Sequence, residues 1–477
     1  MCGVVGISGV ENAAQQAYLA LYALQHRGQE AGGIVSFDAD TARVHKGAGL
    51  VNEIFDREAL SDLVGRTAVG HVRYSTAGGG NMANVQPITA KYARGNLALA
   101  HNGNLTNHLA LRDRLVEDGA IFRSSSDSET LVHLIAKSRE DTIDAQVLDA
   151  LSHLEGAFSM VLAVDETLYA ARDPRGFRPL VVGRKNQGIV VTSETCALDI
   201  LNAEYVRDVE PGEVLRIRDG DVETLAPLNQ APEQAPCIFE LVYFARPDSR
   251  IWGVSVDRAR RALGRRLARE HPAEADCVIS VPDSANSAAL GYSEESGIPF
   301  ELGLLRNHYV GRTFIKPDQK DRDFGARMKY NPVREVLAGK RVVVVDDSLV
   351  RGTTSRSLVR MLRQAGASEV HLRIGSPPVR SPCFYGIDMP TKSELIASNL
   401  DVGQIRSRIE VDSLGYLSLE GMVEAVKGAG PYCTACFSGE YRAPLVDVDE
   451  GYLSLEGPGS NRRQMAMSQY GVSIGPS

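Results

Sequence analysis

Hydrophobic residues come in two arrangements along the chain, and the change between them falls near residue 230. Before it, short apolar runs such as FSMVLAV (158–164) and GIVVTS (188–193) read as sheet strands, separated by turn signals at DPRGFRP (173–179) and EPGE (210–213). Helical tracts near 13–25 and 128–138 are expected to flank those strands. Residues 226–237, APLNQAPEQAPC, carry neither helical nor strand periodicity and mark a boundary. Beyond them, a helix-rich tract containing DRARRALGRRLARE (257–270) precedes the strand CVISVPD (277–283). Strands and helices then alternate, as in a parallel α/β sheet. Val342 to Val345 are apolar at every position, which predicts a strand buried on both faces. The pattern therefore predicts domains over 2–230 and 237–441, with a tail over 442–477.

Composition agrees with two folded domains. A chain of 477 residues is long for a single core. Its 43% hydrophobic and 23% charged residues are those of a soluble globular protein. The net charge of −8 provides no basic footprint for nucleic acid. No apolar stretch approaches the length of a membrane span, and the Met1 end lacks a charged n-region and apolar h-region. A cytoplasmic protein is the expectation.

Candidate chemistry concentrates first at VVVVDDSLVRGTTS (342–355). Asp346 and Asp347 sit where the strand would end, and Ser348 to Ser355 bring hydroxyls, a glycine and backbone N–H groups before a helical pattern that starts at Arg356. Such a turn can hold a phosphate on backbone amides, and paired acids can meet ribose hydroxyls or a hydrated Mg²⁺. The lysine of a GxxxxGK[ST] loop is missing, which favours a phosphorylated ribose over a nucleoside triphosphate. The string resembles the phosphoribosyl pyrophosphate (PRPP) loop of type I phosphoribosyltransferases. That resemblance assigns PRPP binding to Asp346, Asp347, Ser348, Val350, Arg351, Gly352, Thr353, Thr354 and Ser355.

VPDSANSAALGY (281–292) is a second strand–turn–helix junction, which by itself reads equally well as an N-cap. By resemblance, Asp283 and Ser284 belong to a pyrophosphate loop, and Ser284, Asp346 and Asp347 face one Mg²⁺ per subunit. Residues 306–333 show no clean period and are rich in Arg, Lys and Gly, as in a solvent-exposed loop or a lid. Tyr309, Gly311, Arg312, Thr313, Phe314 and Gln319 match the lid of the resembled family.

The amino terminus offers a different chemistry. Removal of Met1 would leave Cys2 with a free α-amine that titrates near neutrality and can act as base for its own thiol. QHRGQEAGG (25–33), GHVRYSTAG (70–78), AHNGNL (100–105) and SSSDSE (124–129) resemble, in order and spacing, the glutaminase domain of the N-terminal-nucleophile (Ntn) amidotransferases. The resemblance makes Cys2 the nucleophile and gives the oxyanion to the Asn102 side chain and the Gly103 N–H. It gives the glutamine α-carboxylate to Arg73 and the α-ammonium to Asp127, and sets Arg27 near the nucleophile, in the glutamine site.

Of seven cysteines, Cys433 and Cys436 form a CxxC pair, while Cys237 and Cys383 stand apart. Chain spacing leaves Zn²⁺ and a [4Fe–4S] cluster equally open as ligands of the four. Cys196 and Cys277 fit no motif and are expected in the core. From Cys2 to about Tyr441 the sequence resembles the glutamine PRPP amidotransferases, and its cysteine segments resemble their iron–sulfur subgroup, which implies a structural [4Fe–4S] cluster in place of zinc.

The resemblance implies an αββα Ntn domain followed by a type I phosphoribosyltransferase domain. It also implies synthesis of 5-phosphoribosylamine from glutamine, PRPP and water, with ammonia passed internally between the two sites. A homotetramer, feedback by purine nucleotides and closure of the lid by PRPP follow from the family alone. Some cluster-bearing relatives have a cleaved propeptide, whereas here maturation is expected to need only loss of Met1. Two rival functions are a PRPP or nucleotide sensor without catalysis and a glutamine:fructose-6-phosphate amidotransferase. The first would lack the lid and Cys2 and gain a basic segment, and the second would lack residues 342–355. GYLSLEG occurs at 415–421 and 451–457, and the stretch after it is expected to be disordered.

Overall fold

The computed structural model describes residues 1–74, 82–228, 231, 233–308, 328–426, 428 and 430–448. In the amino-terminal domain, two antiparallel sheets pack face to face. One has seven strands, in the order Glu204–Asp208, Val181–Lys185, Gly188–Thr192, Gly3–Ser8, Thr67–Arg73, Ala31–Asp38 and Thr41–Ala48. The other has six, in the order Asp221–Thr224, Val214–Arg218, Thr167–Arg172, Gly156–Val164, Gly95–Leu105 and Ile88–Tyr92. Val4, Val69, Ala98, Val161, Leu168 and Val191 meet between them in a fully buried layer.

Helices cover both outer faces. Helix Ala13–Ala23 buries Ala13, Ala17, Ala20 and Leu21, a spacing of three and four that puts one apolar stripe on the seven-stranded sheet. Helices Glu129–Lys137 and Ile143–Ser152 cover the other sheet through Leu131, Ile135, Val147 and Leu151. The result is the expected αββα sandwich.

The second domain holds a parallel sheet in the order Cys277–Ser280, Arg341–Asp346, Glu369–Ile374 and Ser413–Tyr416. The four valines are paired on both edges and buried on both faces. Val343 and Val345 face helices Val256–Glu270 and Asn286–Ser296, whereas Val342 and Val344 face Thr353–Gln364 and Val402–Ile409. The period of two along the strand explains why all four positions had to be apolar.

Three local differences from the sequence reading stand out. The helix after the DD loop begins at Thr353, earlier than Arg356, because Gly352 turns the chain at φ 75° and starts the helix immediately after it. Leu304–Arg306 pairs antiparallel with Tyr330–Pro332, so the flanks of the aperiodic 306–333 stretch form a small ladder. The start of the tail is folded: Asp447 accepts from Leu109 N–H at 2.6 Å and its own N–H donates to Thr106 O at 2.9 Å. The lid residues Tyr309, Gly311, Arg312, Thr313, Phe314 and Gln319 and the second GYLSLEG copy lie outside the described residues. Among the described residues, no helix is long and apolar enough to cross a membrane.

Candidate active sites

Cys2 immediately precedes the central strand Gly3–Ser8 of the larger sheet. Its N–H donates to Asn102 Oδ1 at 3.1 Å, its Sγ lies 3.8 Å from Tyr74 O, and its carbonyl accepts from Arg27 Nε at 2.9 Å. Asn102 and Gly103 lie in the Gly95–Leu105 strand of the opposite sheet, so the face-to-face packing delivers them to Cys2. Asn102 Nδ2 is buried and has no hydrogen-bond partner, leaving one amide donor unused beside the thiol. At Gly103 the chain runs at φ 152°, and a Cβ would stand 2.0 Å from Ala157 O, so only glycine fits.

A cavity of about 30 Å³ adjoins these groups, with Cys2, Arg73, Tyr74, Gly103 and Asp127 in its walls. Asp127 accepts from Leu105 N–H at 3.0 Å and from Ser128 N–H at 2.8 Å. Burial pushes its carboxyl up, but the neighbouring His101 and these hydrogen bonds outweigh that and hold it below the ordinary range. Burial drives the His71 imidazole down to about 3, so it is neutral at physiological pH.

Arg27 does not line this cavity. Its fully buried guanidinium is committed to Cys2 O, to Glu194 Oε1 at 2.5 Å and to Glu240 at 2.8 and 3.1 Å. Burial opposes its charge, and the two carboxylates more than restore it. Neither acid belongs to a motif, so sequence reasoning missed both. Asn84, Gln86, His101 and Ser126 also line the cavity; His101 and Ser126 lie in the HNGNL and SSSDSE segments, whereas Asn84 and Gln86 carried no signal.

The second centre lies at the carboxyl end of the Arg341–Asp346 strand. Asp347 accepts from Ser284 Oγ at 2.5 Å and from Ser348 Oγ at 2.7 Å, which joins the two strand–helix junctions. Asp347 N–H donates to Asp346 Oδ1 at 2.9 Å. Burial, and then the charge of Asp347, push the Asp346 carboxyl well up; burial does the same to Asp347. A partner of positive charge or with hydroxyl donors would relieve this pair. Val350 O accepts from Ile396 N–H at 2.9 Å, and a Cβ at Gly352 would stand 2.7 Å from Ile396 Cδ1, so backbone contacts hold the loop. Arg351, Thr353 and Thr354 are exposed, Ser355 is buried, and the twelve-residue helix starts without a side-chain cap. Asp283 accepts from Arg306 at 2.9 Å, tying the second junction to the base of the 309–327 segment.

Cys237, Cys383, Cys433 and Cys436 converge where the domains meet. Cys433 N–H donates to Pro236 O at 2.9 Å, and Ile238 N–H donates to Cys433 O at 3.3 Å. Arg380 and Ser381 N–H groups donate to Cys436 O at 2.9 and 3.1 Å, while Cys383 Sγ accepts from Tyr385 N–H at 3.3 Å. Burial first, and then the other three sulfurs, push the Cys436 thiol well up; burial and Cys383 push Cys237 up to about 11 despite Arg178 nearby. Among the described residues, no three His, Cys, Asp or Glu side chains stand close enough to share a single metal ion. Cys196 and Cys277 are buried elsewhere.

Residues 71–200 match the model of a glutamine amidotransferase domain. The chain is 52% identical over 443 residues to amidophosphoribosyltransferase 2, chloroplastic, of Arabidopsis thaliana, covering 92% of this chain and 79% of that protein. It is 50% identical to the Bacillus subtilis amidophosphoribosyltransferase, covering 92% and 94% respectively. The solved glutamine PRPP amidotransferase from B. subtilis, complexed with ADP and GMP, superposes with a TM-score of 0.88 at 49% identity, covering 93% of this chain and 98% of that one. A structure described as the allosteric regulatory enzyme of purine biosynthesis matches with the same TM-score, 0.88, at 50% identity, covering 93% and 97%. With identities near 50% along nearly its whole length, the chain belongs to the amidophosphoribosyltransferase family.

Proposed function

We propose that this amidophosphoribosyltransferase, acting at the first step of purine biosynthesis, takes ammonia from glutamine at Cys2 and delivers it to C1 of PRPP at the 346–355 loop. The observation that carries the reading is the pairing, on one chain, of a thiol beside an unused buried amide donor with a buried acid pair at a strand end.

Once Met1 is removed, the Cys2 amine takes the thiol proton and Sγ attacks the glutamine side-chain carbonyl. Asn102 Nδ2 and the Gly103 N–H receive the developing oxyanion, Arg73 the α-carboxylate and Asp127 the α-ammonium. Arg27 acts behind the nucleophile by fixing the Cys2 carbonyl, without touching glutamine. Ammonia leaves, and water hydrolyses the thioester to glutamate. Ammonia then attacks C1 as pyrophosphate departs.

Asp346 and Asp347 orient the ribose hydroxyls, the loop amides and Thr353 to Ser355 hold the 5-phosphate, and Asp283 and Ser284 face the pyrophosphate. Mg²⁺, when bound at Ser284, Asp346 and Asp347, neutralises phosphate charge; the raised acid pair fits a hydrated ion of that kind. Free ammonia near neutral pH is mostly protonated, which favours an internal path. The lid over 309–319, inhibition by purine nucleotides, a homotetramer and a cytoplasmic setting complete the reading. The ADP and GMP in the related structure support the nucleotide part.

The four cysteines are read as ligands of a [4Fe–4S] cluster, supported by the resemblance of their segments to the iron–sulfur subgroup and by the mutual influence of their sulfurs. A cubane spreads its four thiolates over separate irons while keeping them in mutual electrostatic range. Iron and sulfide content and visible absorption of anaerobically purified protein, lost in Cys436→Ser, test this.

The main test is pyrophosphate release from PRPP and Mg²⁺ with glutamine or ammonia, in the wild type and in Cys2→Ala. Glutamine activity lost in the variant, with ammonia activity kept, is expected. No release from either nitrogen source in folded, cluster-loaded protein would sink the transferase reading and leave the sensor.

A further inference from the structure

Arg27, which holds the Cys2 carbonyl, is anchored by a residue of the other domain. Glu240 lies 213 positions away in sequence, is fully buried, and accepts from Arg27 Nη2 at 2.8 Å and Nη1 at 3.1 Å. Arg178, also fully buried, reaches the same carboxylate at 3.4 Å and spends its other donors on Tyr385 O. With Glu194, two cations and two anions are sealed away from water, so each depends on the others for its charge state and position.

Glu240 opens a single π-helical turn, Glu240–Phe244, closed by Ala245 N–H donating to Glu240 O at 3.0 Å. Such turns carry a poorer hydrogen-bond geometry than an α-helix and persist where something else fixes them. Here the fixing group is Arg260, fully buried in helix Val256–Glu270, whose guanidinium donates to Leu241 O at 2.9 Å and Ala245 O at 2.7 Å. One short turn thus carries, at its first residue, the carboxylate that holds Arg27, and is itself pinned by an arginine of the following helix.

We propose that Glu240, on a turn held by Arg260, is a positioning residue for Cys2 that acts through Arg27. This rests on the glutaminase reading above and names the residue of the second domain that supports its nucleophile. The Cys2 peptide plane is set by Arg27 Nε, so moving Arg27 tilts the thiol relative to Asn102. A displacement of that kind, far from the chemistry, can cost about a hundredfold in rate.

The test uses the full chain and measures glutamate formation with and without PRPP, and pyrophosphate release with ammonia. Glu240→Gln, close in size, is expected to lower kcat for glutamine about tenfold or more with little change in KM, and to leave the ammonia-dependent rate within about twofold. Alkylation of Cys2 by a chloroketone analogue of glutamine slows in proportion. Glu240→Asp, which keeps the charge, recovers part of the loss and supplies a second variant if the first folds poorly. Arg260→Lys, which cannot reach both carbonyls, loosens the turn and lowers the same glutamine rate, with ammonia-dependent release again within about twofold. Equal losses with both nitrogen sources, or a full glutamine rate in folded Glu240→Gln, overturn the positioning role. An unchanged glutamine rate in folded Arg260→Lys overturns the part given to the turn. A wild type inactive with either nitrogen source would fail the underlying reading, a distinct result.

Discussion

Around Cys2, the groups expected to meet the substrate are tied into β-structure or its flanking turns: Asn102 and Gly103 by the strand ladder, Asp127 by two backbone N–H groups, and the Cys2 carbonyl by Arg27. Around Asp346 and Asp347, the acids are tied by serine hydroxyls and an N–H, while Arg351, Thr353 and Thr354 face solvent. The contrast follows the chemistry each centre is assigned. An oxyanion that exists only in passing is stabilised by donors fixed in advance, whereas a highly charged sugar phosphate can order exposed donors by its own binding energy. The donors of the first centre are fixed by strand and buried charge, and those on the phosphate side of the second face solvent.

The largest separation of the two comes from Cys2→Ala, which should lower glutamine-dependent turnover at least a thousandfold while ammonia-dependent pyrophosphate release stays within about twofold. Next, Asp347→Asn removes a charge shared by both reactions. Steady-state rates with either nitrogen source should fall together, by about a hundredfold, and a loss confined to glutamine would contradict the division of labour. Gly103→Ala sharpens the claim that the Cys2 centre is preorganised. Its Cβ would collide with Ala157 O, so urea melts should show a loss of about 1–3 kcal/mol, alongside a selective drop in glutamine turnover.

The smallest effect concerns pH. Burial opposes the Glu129 charge, but hydrogen bonds from His133, Ser124 and Arg123 bring its carboxyl from 4.5 down to about 2. A folded value below the unfolded one adds stability that is complete above 4.5 and is lost as pH falls towards 2. Glu129→Gln should therefore cost about 1–3 kcal/mol at pH 7, and its difference from wild type in urea melts should shrink between pH 4.5 and 3. Because Glu129 braces the 124–128 turn that carries Asp127, a pH-independent difference would remove that brace from the account.

Motifs made of neighbours were the readable part of these centres. The DD loop declared itself because strand, acids and hydroxyls are consecutive, and HNGNL because an amide and a glycine adjoin. Arg27 shows the limit. Its sequence context marks it as close to the nucleophile but not whether it faces glutamine; its partners at Glu194 and Glu240 turn it away from the cavity. The four cysteines show it too, since spacing leaves two metals open and does not reveal that Cys237 and Cys433 lie side by side.

By itself, then, the sequence determined the change from antiparallel to parallel patterning, the period-two strands, the fully apolar central strand and the acids at its end. Each of these depends on residues a few positions apart, whose pattern survives in one dimension. Only the tertiary structure decided that the helix starts at Thr353, that residues 442–448 return to the first domain, and that Glu240 closes a buried charge network behind Cys2. Those outcomes depend on which distant groups can satisfy a buried charge, carbonyl or N–H. Burial makes that demand, and only the packed chain shows what meets it.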